Sequence, residues 1–296
     1  MNHSTHATRH KKADTIVTHI VLIAVCAVFF FPVLWLIMAS FSRSGSIYDI
    51  GGFFPDSFSL AGYRRLFMDT GMYDYPRWLK NTLFVAVFSS LIGTVLVILT
   101  AYTISRFQFA GKKAFMKSAL VLSMFPSFMG MTAVYLLMVN FNLINRLWSL
   151  IFIYAAGAPM GYLVQKGYFD TISNSIYEAA RMDGATNMRV FCSVTLPLSK
   201  PIIVYTALTQ FAWPWSDFIL PNLLLKNKDL WTVAVGLMHL DETQFTRFAA
   251  GSVFIAVPIV ILYFALSNFL VAGVSDSRNQ ASTLQVNEYM YFHRPV

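Results

Sequence analysis

Charge is scarce in this sequence. Asp, Glu, Lys and Arg supply 12% of its 296 residues, 56% are hydrophobic, and mean hydropathy is +0.57. Soluble domains carry about 25% charged residues, so the composition is that of an integral membrane protein and not of a soluble enzyme or a nucleic-acid binder. Cysteine is nearly absent. Cys26 lies in an apolar run and Cys192 in a polar stretch, which reads as two free thiols with neither a disulfide framework nor a metal site. Catalytic signatures are missing too: there is no Gly-x-Ser-x-Gly, His-Glu-x-x-His or Cys-x-x-Cys. Gly111-Lys112 lacks the upstream glycine and the following Ser or Thr of a phosphate-binding loop. The chain therefore presents no catalytic residue, no metal ligands and no cofactor site of its own. His3, His6 and His10 fall in a polar N-terminal arm and read as solvent-exposed. No fixed-period repeat or low-complexity tract occurs.

Long apolar runs are what the sequence does have. A hydrocarbon core of ~30 Å needs ~20 apolar residues per helix. Six runs qualify, at 16–38, 79–103, 116–141, 147–164, 202–225 and 248–274. Barrel strands are ~10 residues long and alternate, so run length points to an all-α membrane protein of six transmembrane helices. The fourth and fifth runs are interrupted by Gly157, Pro159 and Gly161, and by Pro214, Ser216 and Asp217. The first follows a basic stretch but outruns a signal-peptide core and lacks a small-residue cleavage site, so it is expected to stay as an anchor. Residues 1–15 then form an N-terminal arm, 16–274 the membrane domain and 275–296 a polar tail.

Lysine and arginine favour cytoplasmic loops. With the N-terminus inside, thirteen of the 22 basic residues fall on the inner side. The segment 105–117 is the clearest case, with Arg106, Lys112, Lys113 and Lys117 and no acidic residue. Both termini are thus expected in the cytoplasm. On the outer side, 42–78 is turn-rich with a short helix near 60–68, and 226–247 is balanced in charge and long enough to reach beyond the membrane surface. The outer loops together are near charge balance, which suits a neutral or an acidic solute equally.

The inner stretch 173–201 is a polar island between apolar runs. Ser175 and Glu178 have capping-box spacing, Ala179 and Ala180 are small helix formers, and Gly184 suits a left-handed position after a helix. Asp183 stands beside it. Thr186 can cap a second short helix, which Pro197 and Pro201 bound. The reading is helix, glycine corner, helix and a proline-bounded return to the membrane. A membrane protein that builds such a loop is offering it to a soluble partner.

Glu178-Ala179-Ala180, Asp183-Gly184-Ala185, Leu196-Pro197-Leu198 and Pro201 together resemble the EAA loop of bacterial ABC importer permeases. Met124-Phe125-Pro126, Lys166-Gly167-Tyr168-Phe169 and Trp215-Ser216-Asp217-Phe218 extend the resemblance to the carbohydrate subgroup, near the smaller permease subunit of maltose-type transporters. It covers about residues 15–274, and the tail departs from it. The resemblance implies that 173–201 is a coupling helix docking on an ATP-binding subunit dimer, which holds ATP and Mg. It also implies a second, unlike permease subunit, an extracytoplasmic solute-binding protein and an oligosaccharide substrate.

Asp217 is the one carboxylate inside a span, where charge is costly and a functional role is the default expectation. With Trp213 and Trp215 it could hold a sugar in the translocation path, and Pro214 is expected to break the fifth helix there. The other reading is an interfacial aromatic belt with Asp217 near water. Asn140, Asn142 and Asn145 read as loop residues. Tyr102, Tyr135 and Phe29-Phe30-Phe31 read as packing or lipid-facing. Gly93, Ala101, Gly130, Gly157 and Gly161 are expected at helix contacts. A stand-alone secondary transporter or channel would need more intramembrane ionisable groups than this chain offers.

Overall fold

The computed structural model describes residues 4–157 and 159–267. Among these the chain is helical, and its single β feature is an isolated antiparallel bridge, Ser42 with Phe58. The helices are α1 (Ser4–Ser40), α2 (Ala61–Met68), α3 (Tyr75–Arg106), α4 (Lys112–Met124), α5 (Met131–Asn140), α6 (Leu147–Ala156), α7 (Pro159–Thr171), α8 (Asn174–Met182), α9 (Asn187–Val190), α10 (Leu196–Leu198), α11 (Lys200–Ser216), α12 (Ile219–Leu224), α13 (Val233–Met238) and α14 (Glu242–Ser267). Two compact units result, Met1–Tyr75 with His239–Phe254 and Pro76–Met238 with Ile255–Val296.

Among the described residues three single helices are long and apolar enough to cross a membrane: Val17–Ser40, Tyr75–Arg106 and Glu242–Ser267. Three bent pairs bring the total to six by length and composition. The bend in the third run corrects a span read as unbroken, and that in the fourth falls at the interruption read from Gly157, Pro159 and Gly161. The third run splits, with 99° between Lys112–Met124 and Phe128–Asn140. Pro126 explains the break, because it bars the α conformation for the residue before it, and Phe125 is extended at φ −75°, ψ 134°. The fourth run bends by 41° between Leu147–Ala156 and Met160–Thr171. Gly157 ends α6 with its N–H on Ile153 O at 2.9 Å, and α7 opens on Pro159, where a missing N–H costs nothing. The fifth run is α11 followed by the short α12. Pro214 lies within α11, and the helix ends at Ser216 instead of breaking at the proline. The last part of the sixth run, the tail and the first three residues fall outside the described residues.

In the first unit a buried arginine closes the end of α2. A helix leaves its last carbonyls without intrahelical partners. Arg247, 5% exposed, donates to Arg65 O at 2.5 Å and Asp69 O at 2.7 Å, and pairs with the Asp69 carboxylate at 3.3 Å. Its guanidinium also lies 5.3 Å from the Tyr73 ring. Tyr48 donates to Glu242 at 2.5 Å; that bond and the carboxylate charge raise the phenol's pKa. The expected short outer helix is α2.

In the second unit the segment 226–238 packs on the start of α3. Trp78 Nε1 donates to Lys228 O at 3.0 Å, Asn81 donates to Asp229 O and Trp231 O, and Thr82 Oγ1 accepts from Val233 N at 2.8 Å. The glycine of α13 makes this contact possible, since a Cβ on Gly236 would stand 2.0 Å from the Trp78 ring. Two of the three asparagines behave as loop residues: Asn142 and Asn145 take positive φ, and Asn145 Oδ1 accepts from Lys226 N and Asn227 N, whereas Asn140 closes α5. Gly93 sits at a helix contact, its missing Cβ 3.3 Å from Ala155 Cα. Gly236→Ala should therefore overpack the Trp78 contact and lower stability by about 1–3 kcal/mol, read as an earlier thermal transition of the purified protein; an unchanged transition would refute this account of α13.

Candidate functional site

Segment 173–201 is built by local chemistry and then fastened to the end of α3. Its first helix, α8, is capped by Ser173, whose side chain accepts from Ser175 N at 3.3 Å. The cap expected at Ser175 with Glu178 is thus two residues out. Arg106 sets the start instead: it donates to the carbonyls of Phe169 and Ile172 and to Asn174 Oδ1, fixing the chain just ahead of Ser173. Glu178 is left in mid-helix and exposed.

The glycine corner is as expected. Gly184 has φ +77°. Gly184 N donates to Arg181 O and Ala185 N to Ala180 O, both at 3.0 Å. These are the two bonds of a Schellman motif. Thr186 then caps α9, its Oγ1 accepting from Arg189 N at 3.4 Å. The second helix runs on through Pro197, one of the two prolines expected to bound it. It widens into a π turn at Phe191–Thr195 and continues as α10. Asn187–Leu198 meets Lys200–Ser216 at 79°, with Ser199 at the joint and Pro201 in the first turn of α11.

The two faces of this segment differ. Tyr177, Val190 and Phe191 are buried against Ile98, Ala101, Tyr102 and Phe169, with Ala180, Ala185 and Leu196 half-buried at the edge. Polar contacts lock the same interface. The Arg106 guanidinium lies 3.8 Å from the Tyr177 ring centroid, Tyr177 hydroxyl meets Thr195 Oγ1 at 3.1 Å, and Tyr102 hydroxyl donates to Asn187 O at 3.4 Å. Ser105 donates to Asp170 at 2.6 Å, and Lys166 pairs with the same carboxylate. The opposite face is open: Glu178, Ala179, Asp183 and Pro197 are exposed, and Met182 and Met188 are 88% and 67% exposed. The adjacent alanines therefore serve different faces, Ala180 the interior and Ala179 the outside.

A second feature is a cavity of about 800 Å³ in the same unit. One wall is α11, with Tyr205, Thr206, Thr209, Gln210, Trp213, Ser216 and Asp217; Gly130, Val134, Ile153, Tyr154, Gly157 and Gly161 are among the residues opposite. Of the expected path residues, Trp213 and Asp217 line it and Trp215 does not. Residues two apart on a helix point about 200° apart, so Trp215 is 1% exposed and packs on Phe211 at 5.8 Å. Asp217 accepts from Tyr154 hydroxyl at 2.9 Å and from Leu220 N at 3.3 Å, which caps α12.

The sequence pattern of the family described as binding-protein-dependent transport system inner membrane component matches residues 93–278. The chain belongs to this family. It is 35% identical over 275 residues to the maltodextrin transport system permease protein MdxG of Bacillus subtilis, covering 91% of this chain and 98% of that one. With the maltodextrin permease MalD of Streptococcus pneumoniae it shares 33% over 267 residues, covering 88% and 93%. In structure it is similar to a chain of a bacterial ABC transporter involved in the import of the acidic polysaccharide alginate, with TM-score 0.74 and 22% identity over 88% of this chain and 97% of that one. The chain is accordingly a permease subunit of an ABC importer, a transport protein and not an enzyme.

Several residues of these sites escape a reading by motif. Arg106 and Tyr102 sit at the end of an apolar run with nothing local to mark them, although Tyr177 and Ala180 have the i, i+3 spacing of an inward face. Met182 and Met188 stand out as apolar residues in a polar island. Arg106→Ala should loosen α8: amide exchange across 174–182 should rise by roughly tenfold, the loss of ~1.4 kcal/mol from charge-assisted bonds, with Arg106→Lys intermediate. Unchanged protection in Arg106→Ala would remove Arg106 from this role.

Proposed function

We propose that this subunit moves an oligosaccharide across the membrane together with a second, unlike permease subunit, and that 173–201 docks on a separate ATP-binding subunit. Glu178, Ala179, Asp183 and the exposed Met182 and Met188 form the docking face; Ala180, Gly184, Ala185, Leu196, Pro197 and Pro201 shape the segment that carries it. The single observation supporting this best is the pairing of an open, methionine-bearing face with an inner face buried against α3. A displacement of the docked face is then handed to α3 through Tyr177, Tyr102 and Arg106. ATP and Mg are expected in the partner, and an extracytoplasmic binding protein delivers the solute, in keeping with the family's dependence on such proteins. The maltodextrin permeases among its relatives support a saccharide cargo, with Trp213 and Asp217 on its path.

The coupling assignment is tested in the reconstituted complex. Gly184→Val places a β-branched side chain at positive φ, at a cost of ~1–2 kcal/mol, and Glu178→Ala removes the charge from the docking face. Each should cut solute-stimulated ATP hydrolysis roughly tenfold, the scale of a coupling free energy of ~1–2 kcal/mol, while the subunit still inserts in the membrane. Full transport by both variants would sink the assignment.

We also propose that both termini and 173–201 face the cytoplasm, on the strength of the basic segment 105–117. Single cysteines at exposed positions of 178–190 and 105–117 should react with an impermeant maleimide only after permeabilisation, and those at exposed positions of 45–75, 226–229 or 241–243 in intact cells. Labelling of 178–190 from outside would reverse the topology.

A further inference from the structure

The cavity wall made by α11 is chemically one-sided. Tyr205, Thr209, Trp213 and Ser216 follow at spacings of four, four and three residues, so they form one stripe along the helix. Tyr205 and Trp213 are 49% and 58% exposed, and eight residues of helix set them ~12 Å apart. Two aromatic faces with a hydroxyl between them can stack on the C–H faces of successive sugar rings.

The hydrogen-bond inventory of the wall goes further. Thr209 Oγ1 donates to Tyr205 O at 3.1 Å and Thr206 O at 2.9 Å, and Ser216 Oγ donates to Trp213 O at 3.3 Å. Thr206 Oγ1 donates to Gln165 Oε1 and Ile202 O, both at 2.9 Å. Tyr154 donates to Asp217. A hydroxyl has one proton to give and two lone pairs, so the threonine and serine oxygens face the cavity as acceptors, while the Tyr205 hydroxyl, the Gln210 amide and the Trp213 indole add neutral donors. Asp217 adds a carboxylate, and no lysine or arginine lines the cavity. A solute rich in O–H donors matches such a wall. A solute bearing carboxylates would bring negative charge that no lysine or arginine of the described lining pairs, beside the Asp217 carboxylate, an expensive arrangement away from bulk water.

We propose that the stripe Tyr205–Thr209–Trp213–Ser216 is a saccharide-contact surface selective for uncharged sugars over uronates, with Asp217 held by Tyr154 and Leu220 as a fixed element of the wall. This rests on the oligosaccharide-permease reading. It also assigns solute contacts to this subunit's own half of the path, whatever the partner permease adds.

The test uses the full complex with Cys26→Ser, Cys192→Ser and a reporter, Thr209→Cys or Ser216→Cys. Maltotriose should slow alkylation of the reporter by about fivefold at a concentration about four times its Kd, and trigalacturonate should leave the rate unchanged. Trp213→Leu should abolish the protection and Trp213→Tyr retain it. Equal protection by the two trisaccharides, or protection by trigalacturonate alone, overturns the charge selectivity. No protection of either reporter by maltotriose, in a complex whose ATPase still responds to a solute-loaded binding protein, overturns the stripe while leaving the transport reading intact. Loss of that ATPase response in the parent complex counts instead against the transport reading.

Discussion

The attachment of α8 to the end of α3 is the contact that holds segment 173–201 in place. A short helix outside the membrane has little stability alone, because nucleating one costs more than a few backbone bonds return. Here Tyr177 is buried among residues of α3 and α7, and Arg106 bonds the carbonyls just ahead of the helix while stacking on the Tyr177 ring. Burial and charge-assisted bonding thus act at one point. The Schellman corner at Gly184 and the cap at Thr186 then set the direction of everything after it.

The membrane imposes a second condition, met by the same means elsewhere. Away from water every backbone polar group needs a protein partner, so non-helical chain survives only where side chains or turns supply one. The break after α11 is satisfied by Asp217 capping α12. Asp217, the carboxylate read inside a span, serves as a cap, and outside the apolar runs Arg247 closes the end of α2 by the same chemistry.

The helical class, the transport family and the layout of 173–201 were legible because they rest on local signals: run length, glycine and proline at defined positions, and a motif of fixed spacing. The Gly184 corner is such a case. What was not legible depends on neighbours distant in sequence. The cap moved from Ser175 to Ser173 because Arg106, nearly seventy residues earlier, holds the preceding carbonyls. Trp215 was grouped with Trp213 by proximity, yet helical rotation turns one into the core and the other into the cavity. The packing of 226–238 on α3 needs Trp78 to fit against Gly236, a match that no window of sequence contains.

Met182 and Met188 give the outer face of 173–201 an unusual mechanical character. Thioether side chains turn about three bonds and mould themselves to irregular surfaces. A face of that kind sets weak demands on the contour of whatever receives it, while the rigid corner behind it still fixes where it stands. Position and fit are thereby separated. A partner surface that docked there would be free to drift in sequence, or to serve several such chains, without a compensating change here for each substitution there.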